Sequence, residues 1–174
     1  MKVIFLDFDG VINNWNNFDG VDINNVLPLL EIVKITGAKI VATSSNKYSF
    51  QVNGVKHDES RYSYYVLELK KLGIDIFDVT PYIEGNREKE IIKYLEEHPE
   101  IEEFLILDDD YVINSLKEHQ VFLDLYLGIT NEHIEPSVRI LNGKLGFYPP
   151  NFDFNETLEE RNIRINQYHL RKRK

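Results

Sequence analysis

Apolar runs of strand length alternate along this chain with segments of helical period. That pattern leaves few folds open: a doubly wound α/β fold, Rossmann-like, with a mainly parallel sheet and helices on both faces. Residues 2–8 (K-V-I-F-L-D-F) read as a buried first strand and residues 38–43 (A-K-I-V-A-T) as a second. Residues 74–79 make a short strand, Phe104 to Leu107 a third buried one and Val121 to Leu123 a fourth. Between them, Val21 to Thr36 carries apolar residues at 23, 26, 27, 29, 30, 33 and 35, a helical stripe ended by Gly37. Pro28 lies within that stripe and demands a first-turn placement or a kink. Arg61 to Leu72 reads as a helix closed by Gly73, and Asn86 to Glu97 as one capped by Asn86. Thr130 to Leu141 reads as a closing helix begun by Thr130 or Asn131.

The 174 residues suit one domain, with a core over 1–141 and an extension over 142–174. In that extension, residues 142–154 read as a loop or short hairpin and 155–170 as a terminal helix. The hydrophobic share of 43% and charged share of 28% are ordinary for a soluble protein. The absence of cysteine rules out disulfides and thiolate metal sites. No apolar run approaches the roughly 18 residues of a membrane helix, and the early Asp7 does not fit a signal peptide. The expectation is a cytoplasmic protein without membrane contact; the oligomeric state is not legible. The net charge is -9. Six basic residues and no acid lie between Arg161 and Lys174, so the rest carries 14 Lys+Arg against 29 Asp+Glu. Such a body repels polyanions over about 8–10 Å, and any nucleic-acid contact would lean on the basic tail.

Chemistry concentrates where the strands end. The first strand runs into Asp7-Phe8-Asp9-Gly10. Burying one carboxylate costs several kcal/mol unless a metal or hydrogen bonds compensate, and burying two costs more. The carboxyl ends of strands are where open α/β sheets bind ligands, and Gly10 lets the chain turn away. The competing reading is a pair of acids capping a loop. Thr43-Ser44-Ser45 follows the second strand, and hydroxyls there can bond a phosphoryl oxygen without adding charge; they also form turns. Arg87 opens a helix with Lys89 close by, a cation for the same group or a solvated pair. Leu107 leads into Asp108-Asp109-Asp110, whose carboxylates repel unless a cation sits among them. Oxygen ligands without thiolates favour magnesium over zinc.

These four elements, in this order, resemble the haloacid dehalogenase (HAD) superfamily of phosphohydrolases, from Lys2 to about Leu141. By that resemblance Asp7 is the nucleophile and Asp9 the general acid and base. Ser44 or Thr43 supplies the phosphate hydroxyl, and Arg87, or Lys89, the stabilising cation. Asp108 with Asp109 completes a Mg2+ site with Asp7 and the backbone carbonyl of Asp9. The subgroup most similar is the HAD domain of RNA-repair-associated proteins. The similarity is carried by A-K-I-V-A-T-S-S, R-E-K-E-I-I-K-Y-L-E-E-H-P, L-I-L-D-D-D and L-G-I-T. Two departures stand out: Asn46-Lys47 replaces the subgroup's usual Trp-Arg pair, and Arg87 stands where a lysine is usual.

The resemblance implies an aspartyl-phosphate mechanism. The intervals Asp9 to Ser44 and Ser44 to Arg87 hold 34 and 42 residues, too few for a large cap domain. An open site would admit a phosphorylated small molecule, a nucleotide or a nucleic-acid end. Gly10 and Ser45 would border the substrate. Trp15, in the flap-like segment Asn13 to Phe18, would stack on a base or sugar, or else pack on the domain. A non-catalytic phosphate or magnesium-binding module and a phosphotransferase are the alternatives on the same fold. The five histidines show no ligand spacing, and Tyr62, Tyr64 and Tyr65 read as helix packing.

Overall fold

Each buried apolar run forms a strand, and a computed structural model of the chain arranges five of them in one parallel sheet. It describes residues 1–17, 20–47, 61–110 and 113–146, without the side chains of Arg61 and Ser63. Phe18, the expected helix over 155–170, most of the 142–154 loop and the basic tail lie outside the described residues. The strands are β1 (Lys2–Leu6), β2 (Lys39–Ala42), β3 (Ile76–Val79), β4 (Glu103–Asp108) and β5 (Gln120–Phe122), in the order β3-β2-β1-β4-β5. All four neighbouring pairs are parallel.

The helices are α1 (Ile23–Thr36), α2 (Arg61–Lys71), α3 (Arg87–Glu97) and α4 (Ile134–Ile140). Alternate residues of the central strands supply two separate cores. Ile4, Leu6, Ile40, Ala42, Leu105 and Leu107 face one side, packed with Val26, Leu29 and Ile32 of α1, Tyr65 and Leu69 of α2, and Ile140 of α4. Val3, Phe5, Val41 and Ile106 face the other, packed with Ile91 and Tyr94 of α3 and with Ile113. Burying a side chain of this size contributes about 1.5–3 kcal/mol, so the central strands form a rigid frame. The chain builds the sheet outward from β1 to β3, then returns to the other side of β1 with β4. Keeping one crossover handedness, that reversal requires α3 to cover the opposite face from α1 and α2.

Local signals set the helix limits. Asp22 caps α1 by accepting the Asn24 N–H, and Gly37 ends it at φ 66°. Pro28 sits in the second turn of the unbroken α1 and is buried there, beyond the first-turn placement expected. Asn86 caps α3 through the Lys89 N–H. The closing helix is shorter than expected: a 3-10 turn over Asn131–His133 precedes α4. His133 accepts the Thr130 N–H at 2.9 Å, and Pro136 falls in the first turn of α4, where its missing N–H leaves nothing unmet. His98 stacks on Tyr94 and His119 on Phe104. No helix among the described residues is long and apolar enough to cross a membrane.

Candidate active site

The parallel ladder continues one residue past several strand ends, and this aligns the polar residues. Asp7 N–H donates to the Leu107 carbonyl at 3.0 Å, Thr43 N–H to Leu6 at 2.9 Å and Thr80 N–H to Ala42 at 3.0 Å. Asp7, Thr43, Thr80 and Asp108 therefore share the carboxyl end of the sheet. The strand order reverses between β1 and β4, which opens a crevice there of the kind that holds ligands in doubly wound folds. Asp7 and Asp108 stand on its two sides.

Asp7, Asp108 and Asp109 are all buried, and one carboxylate oxygen from each lies within 4.8 Å of the others. Arg87, only 2% exposed, reaches this group from the first turn of α3. Its Nη1 donates to Asp108 Oδ2 at 2.7 Å and to Thr43 Oγ1 at 3.2 Å. The same atom lies 3.7 Å from Asp7 Oδ1, beyond hydrogen-bond reach. A cation at a helix N-terminus opposes the helix dipole by about 0.3–1 kcal/mol, so the carboxylates, not the helix, hold Arg87 there. Asp7 Oδ1 is buried and accepts no hydrogen bond. An anionic oxygen in that condition, among two further carboxylates, suits a hard cation. The residues thus fit a divalent metal, with Asp7, Asp108 and Asp109 as oxygen donors.

Gly10 makes this packing possible in two ways. It adopts φ 75°, and a Cβ there would lie 2.3 Å from the Asp109 carboxylate. The sharp turn expected of Gly10 is present, and the close approach of Asp109 is the further reason for glycine.

Beside the cluster lies a second buried ionic group. Lys47 Nζ lies 2.6 Å from Glu90 Oε2 and donates to Thr80 Oγ1 at 2.5 Å, with both charged side chains fully buried. Glu90 Oε1 also accepts the Ile83 N–H at 3.1 Å. Burial pushes the Lys47 ammonium down to about 8, against the opposing pull of Glu90. This pair ties the turn after β2 to α3, one helical turn from Arg87.

Asp9 is half-buried and accepts from three neutral donors. Tyr65 Oη donates to its Oδ1 at 2.6 Å, Asn13 Nδ2 to the same oxygen at 3.1 Å, and Asn46 Nδ2 to its Oδ2 at 2.8 Å. Tyr62 and Tyr65 do pack on Phe8, as expected of that cluster, but the Tyr65 hydroxyl goes beyond packing.

The other expected site residues divide. Thr43 and Ser44 are buried; Thr43 is engaged by Arg87, and Ser44 Oγ accepts from the Asn46 N–H at 3.3 Å. Ser45 is exposed at the start of a 3-10 turn. Lys89 is exposed, its backbone N–H donating to the Asn86 cap of α3, so the structure brings Arg87 rather than Lys89 to the carboxylates. Trp15 is 52% exposed and packs edge-on against Tyr126, with ring centroids 5.8 Å apart. Asn13, Asn46, Lys47, Tyr65, Thr80 and Glu90 were not expected as site residues. The one signal for any of them was the departure at Asn46-Lys47, together with Glu90 sharing a face with Arg87 three residues earlier.

A parallel sheet in this order, with paired acids after β1, hydroxyls after β2, a cation opening α3 and further acids after β4, defines a HAD-type α/β fold. The model of the HAD domain in Swiss Army Knife RNA repair proteins matches residues 3–134, and the chain belongs to that family. Membership places it, at superfamily level, among the HAD-type phosphohydrolases. No curated protein and no solved structure matches the chain.

Proposed function

We propose that the chain is a magnesium-dependent phosphatase that works through an aspartyl-phosphate on Asp7. The observation that carries this reading is the buried, unbonded Oδ1 of Asp7, within 4.8 Å of two more carboxylates. Asp7, Asp108 and Asp109, with the Asp9 backbone carbonyl, would hold Mg2+. When bound, the ion would offset the charge of these carboxylates and of the transferring phosphoryl group.

The chain's own residues carry the steps. An Asp7 carboxylate oxygen bonds to phosphorus, and the bond to the leaving oxygen breaks with its electron pair on that oxygen. Asp9, as the acid, gives that oxygen its proton. Asp9, now a carboxylate, takes a proton from water as the water oxygen bonds to phosphorus and the Asp7–phosphoryl bond breaks. Arg87 steadies Asp7 and the phosphoryl charge, Thr43 orients Arg87, and Ser44 offers a hydroxyl to a phosphoryl oxygen.

For the substrate we favour a nucleotide or a phosphorylated nucleic-acid end. The family's description supports it, as does the half-exposed position of Trp15, an aromatic of the kind that stacks on bases. No cap domain is found among the described residues to exclude a large substrate. The test is phosphate release by wild type and Asp7→Asn, with and without magnesium. The panel holds an aryl phosphate, nucleotides, sugar phosphates and 3′- and 5′-phosphorylated oligonucleotides. Release that needs both magnesium and Asp7 is expected. Release that survives Asp7→Asn would overturn the mechanism, and nucleotides and oligonucleotides both no better than the aryl phosphate would overturn the substrate class.

A further inference from the structure

Three neutral donors from three separate segments converge on Asp9. Asn13 lies in the loop after β1, Asn46 in the turn after β2, and Tyr65 on α2. They are cross-linked: Asn13 Nδ2 also donates to Tyr65 Oη at 3.1 Å, and Asn13 Oδ1 accepts the Gly10 N–H at 2.8 Å. Both Asp9 oxygens are thereby engaged, one by Tyr65 and Asn13 and the other by Asn46.

Tyr65 is the rigid member. Its ring is fully buried and lies edge-on to Phe8, with centroids 5.4 Å apart and planes at 69°. A ring held by core packing on a helix places its hydroxyl at a fixed point, which amides on loops do not. A residue needed only to fill this space could be phenylalanine, since burying a hydroxyl without a partner costs about 1–3 kcal/mol. Here the partner is the carboxyl group that has to move a proton.

Resting on the phosphatase reading, the geometry points to Tyr65 as a positioning residue that, with Asn13 and Asn46, fixes the Asp9 carboxyl group for proton transfer to the leaving oxygen. Tyr65 forms no bond to phosphorus and keeps its own proton; the proton that moves is that of Asp9. Its contribution therefore depends on how much the leaving oxygen needs a proton. An alkoxide needs one to depart, whereas an acidic phenol departs without it. Loss of the Tyr65 hydroxyl should injure turnover of alkyl phosphates and largely spare that of activated aryl phosphates.

The experiment compares kcat/KM of wild type and Tyr65→Phe on a nucleoside monophosphate and on p-nitrophenyl phosphate. General acid catalysis contributes about 10²–10⁴-fold, and misdirecting the acid should forfeit roughly tenfold or more on the nucleotide, against less than about threefold on the aryl ester. Equal losses on both substrates, or no loss on the nucleotide, would overturn the proposal, because a structural role does not sense the leaving group. A second measurement reads the contact without turnover. In protein carrying ¹³C at aspartate carboxyls, Tyr65→Phe should move the Asp9 Cγ resonance, assigned by its disappearance in Asp9→Asn; an unmoved resonance also overturns it. Asp7→Asn, run alongside, separates the two readings. If wild-type release does not depend on Asp7, the phosphatase mechanism fails and takes the positioning role with it. A failed leaving-group ratio in an Asp7-dependent enzyme sinks only the role of Tyr65.

Discussion

Lys47 with Glu90, and Arg87 with Asp7, Asp108 and Asp109, are both buried ionic groups at the carboxyl end of the sheet, and they balance charge differently. In the first, one ammonium meets one carboxylate, and Thr80 and the Ile83 N–H bond to the remaining polar atoms. In the second, one guanidinium faces Asp7 and Asp108, Asp109 brings a third carboxylate within 4.8 Å of theirs, and Asp7 Oδ1 accepts no hydrogen bond. A closed pair of the first kind serves to hold two elements together. An excess of buried negative charge destabilises a fold by itself, and it is intelligible where a cation completes it. The contrast separates a structural ionic group from a functional one within a few residues of the same helix.

The largest effect expected from breaking that contrast is on turnover. Asp7→Asn keeps the shape of the cluster and removes the nucleophile, and kcat should fall by about 10⁴-fold or more. Steady-state phosphate release measures it, with circular dichroism confirming the fold.

The next effect falls on the closed pair and is read as stability. Glu90→Leu leaves Lys47 buried without the carboxylate that supports its charge, and Lys47→Met leaves Glu90 buried without its ammonium. Each should lower unfolding free energy by about 3–5 kcal/mol in denaturant titrations. The double variant Lys47→Met/Glu90→Leu should recover most of that loss, because replacing both members of a buried pair by apolar groups is often near neutral. A double variant as unstable as the singles would mean that Thr80 and Ile83 depend on the pair.

The open cluster should respond in the opposite sense. Asp109→Asn removes one of three repelling carboxylates, so in chelator it should leave the protein as stable as wild type or about 1 kcal/mol more so. The same change should reduce the rise in Tm that magnesium gives wild type. A cation at 100 times its Kd adds about 2.7 kcal/mol through mass action. If Asp109→Asn destabilises the metal-free protein as the closed-pair variants do, the cluster is structural and the contrast collapses.

How far this was legible before the structure follows from the range of the interactions. The strands and the acids that end them are local: apolar runs at residues 3–6 and 104–107 lead directly into Asp7 and Asp108, and Asn86 caps a helix whose pattern is local too. The surroundings of Asp9 are not. Tyr65 is 56 residues from it and Asn46 is 37, and an aromatic on an apolar helix face or an amide in a turn carries no mark of its partner. Lys47 was hidden for another reason. Lysine is almost never fully buried unless paired, and its partner Glu90 lies 43 residues further on. Gly10 announced a turn, while the space it leaves for Asp109 appears only when β1 and β4 are side by side. Thr130 is a good start signal for a closing helix, but the His133 contact to Thr130 makes a 3-10 turn there before α4 begins.

The smallest expected effect tests which cation belongs to the open cluster, and it does so by what does not change. Arg87 and Lys89 are two residues apart on α3, which turns their side chains in different directions. Arg87 is buried on Asp108, and Lys89 is exposed. Lys89→Ala removes a solvated charge near a helix N-terminus, where a cation is mildly unfavourable. Stability should therefore stay within about 0.5 kcal/mol of wild type and kcat within about twofold. Arg87→Ala strips the cluster of its guanidinium and should cost on the order of 10²-fold or more in kcat. Matched losses in the two variants would mean that Lys89 swings into the crevice during turnover, and the cation of the site would then be shared between the two positions.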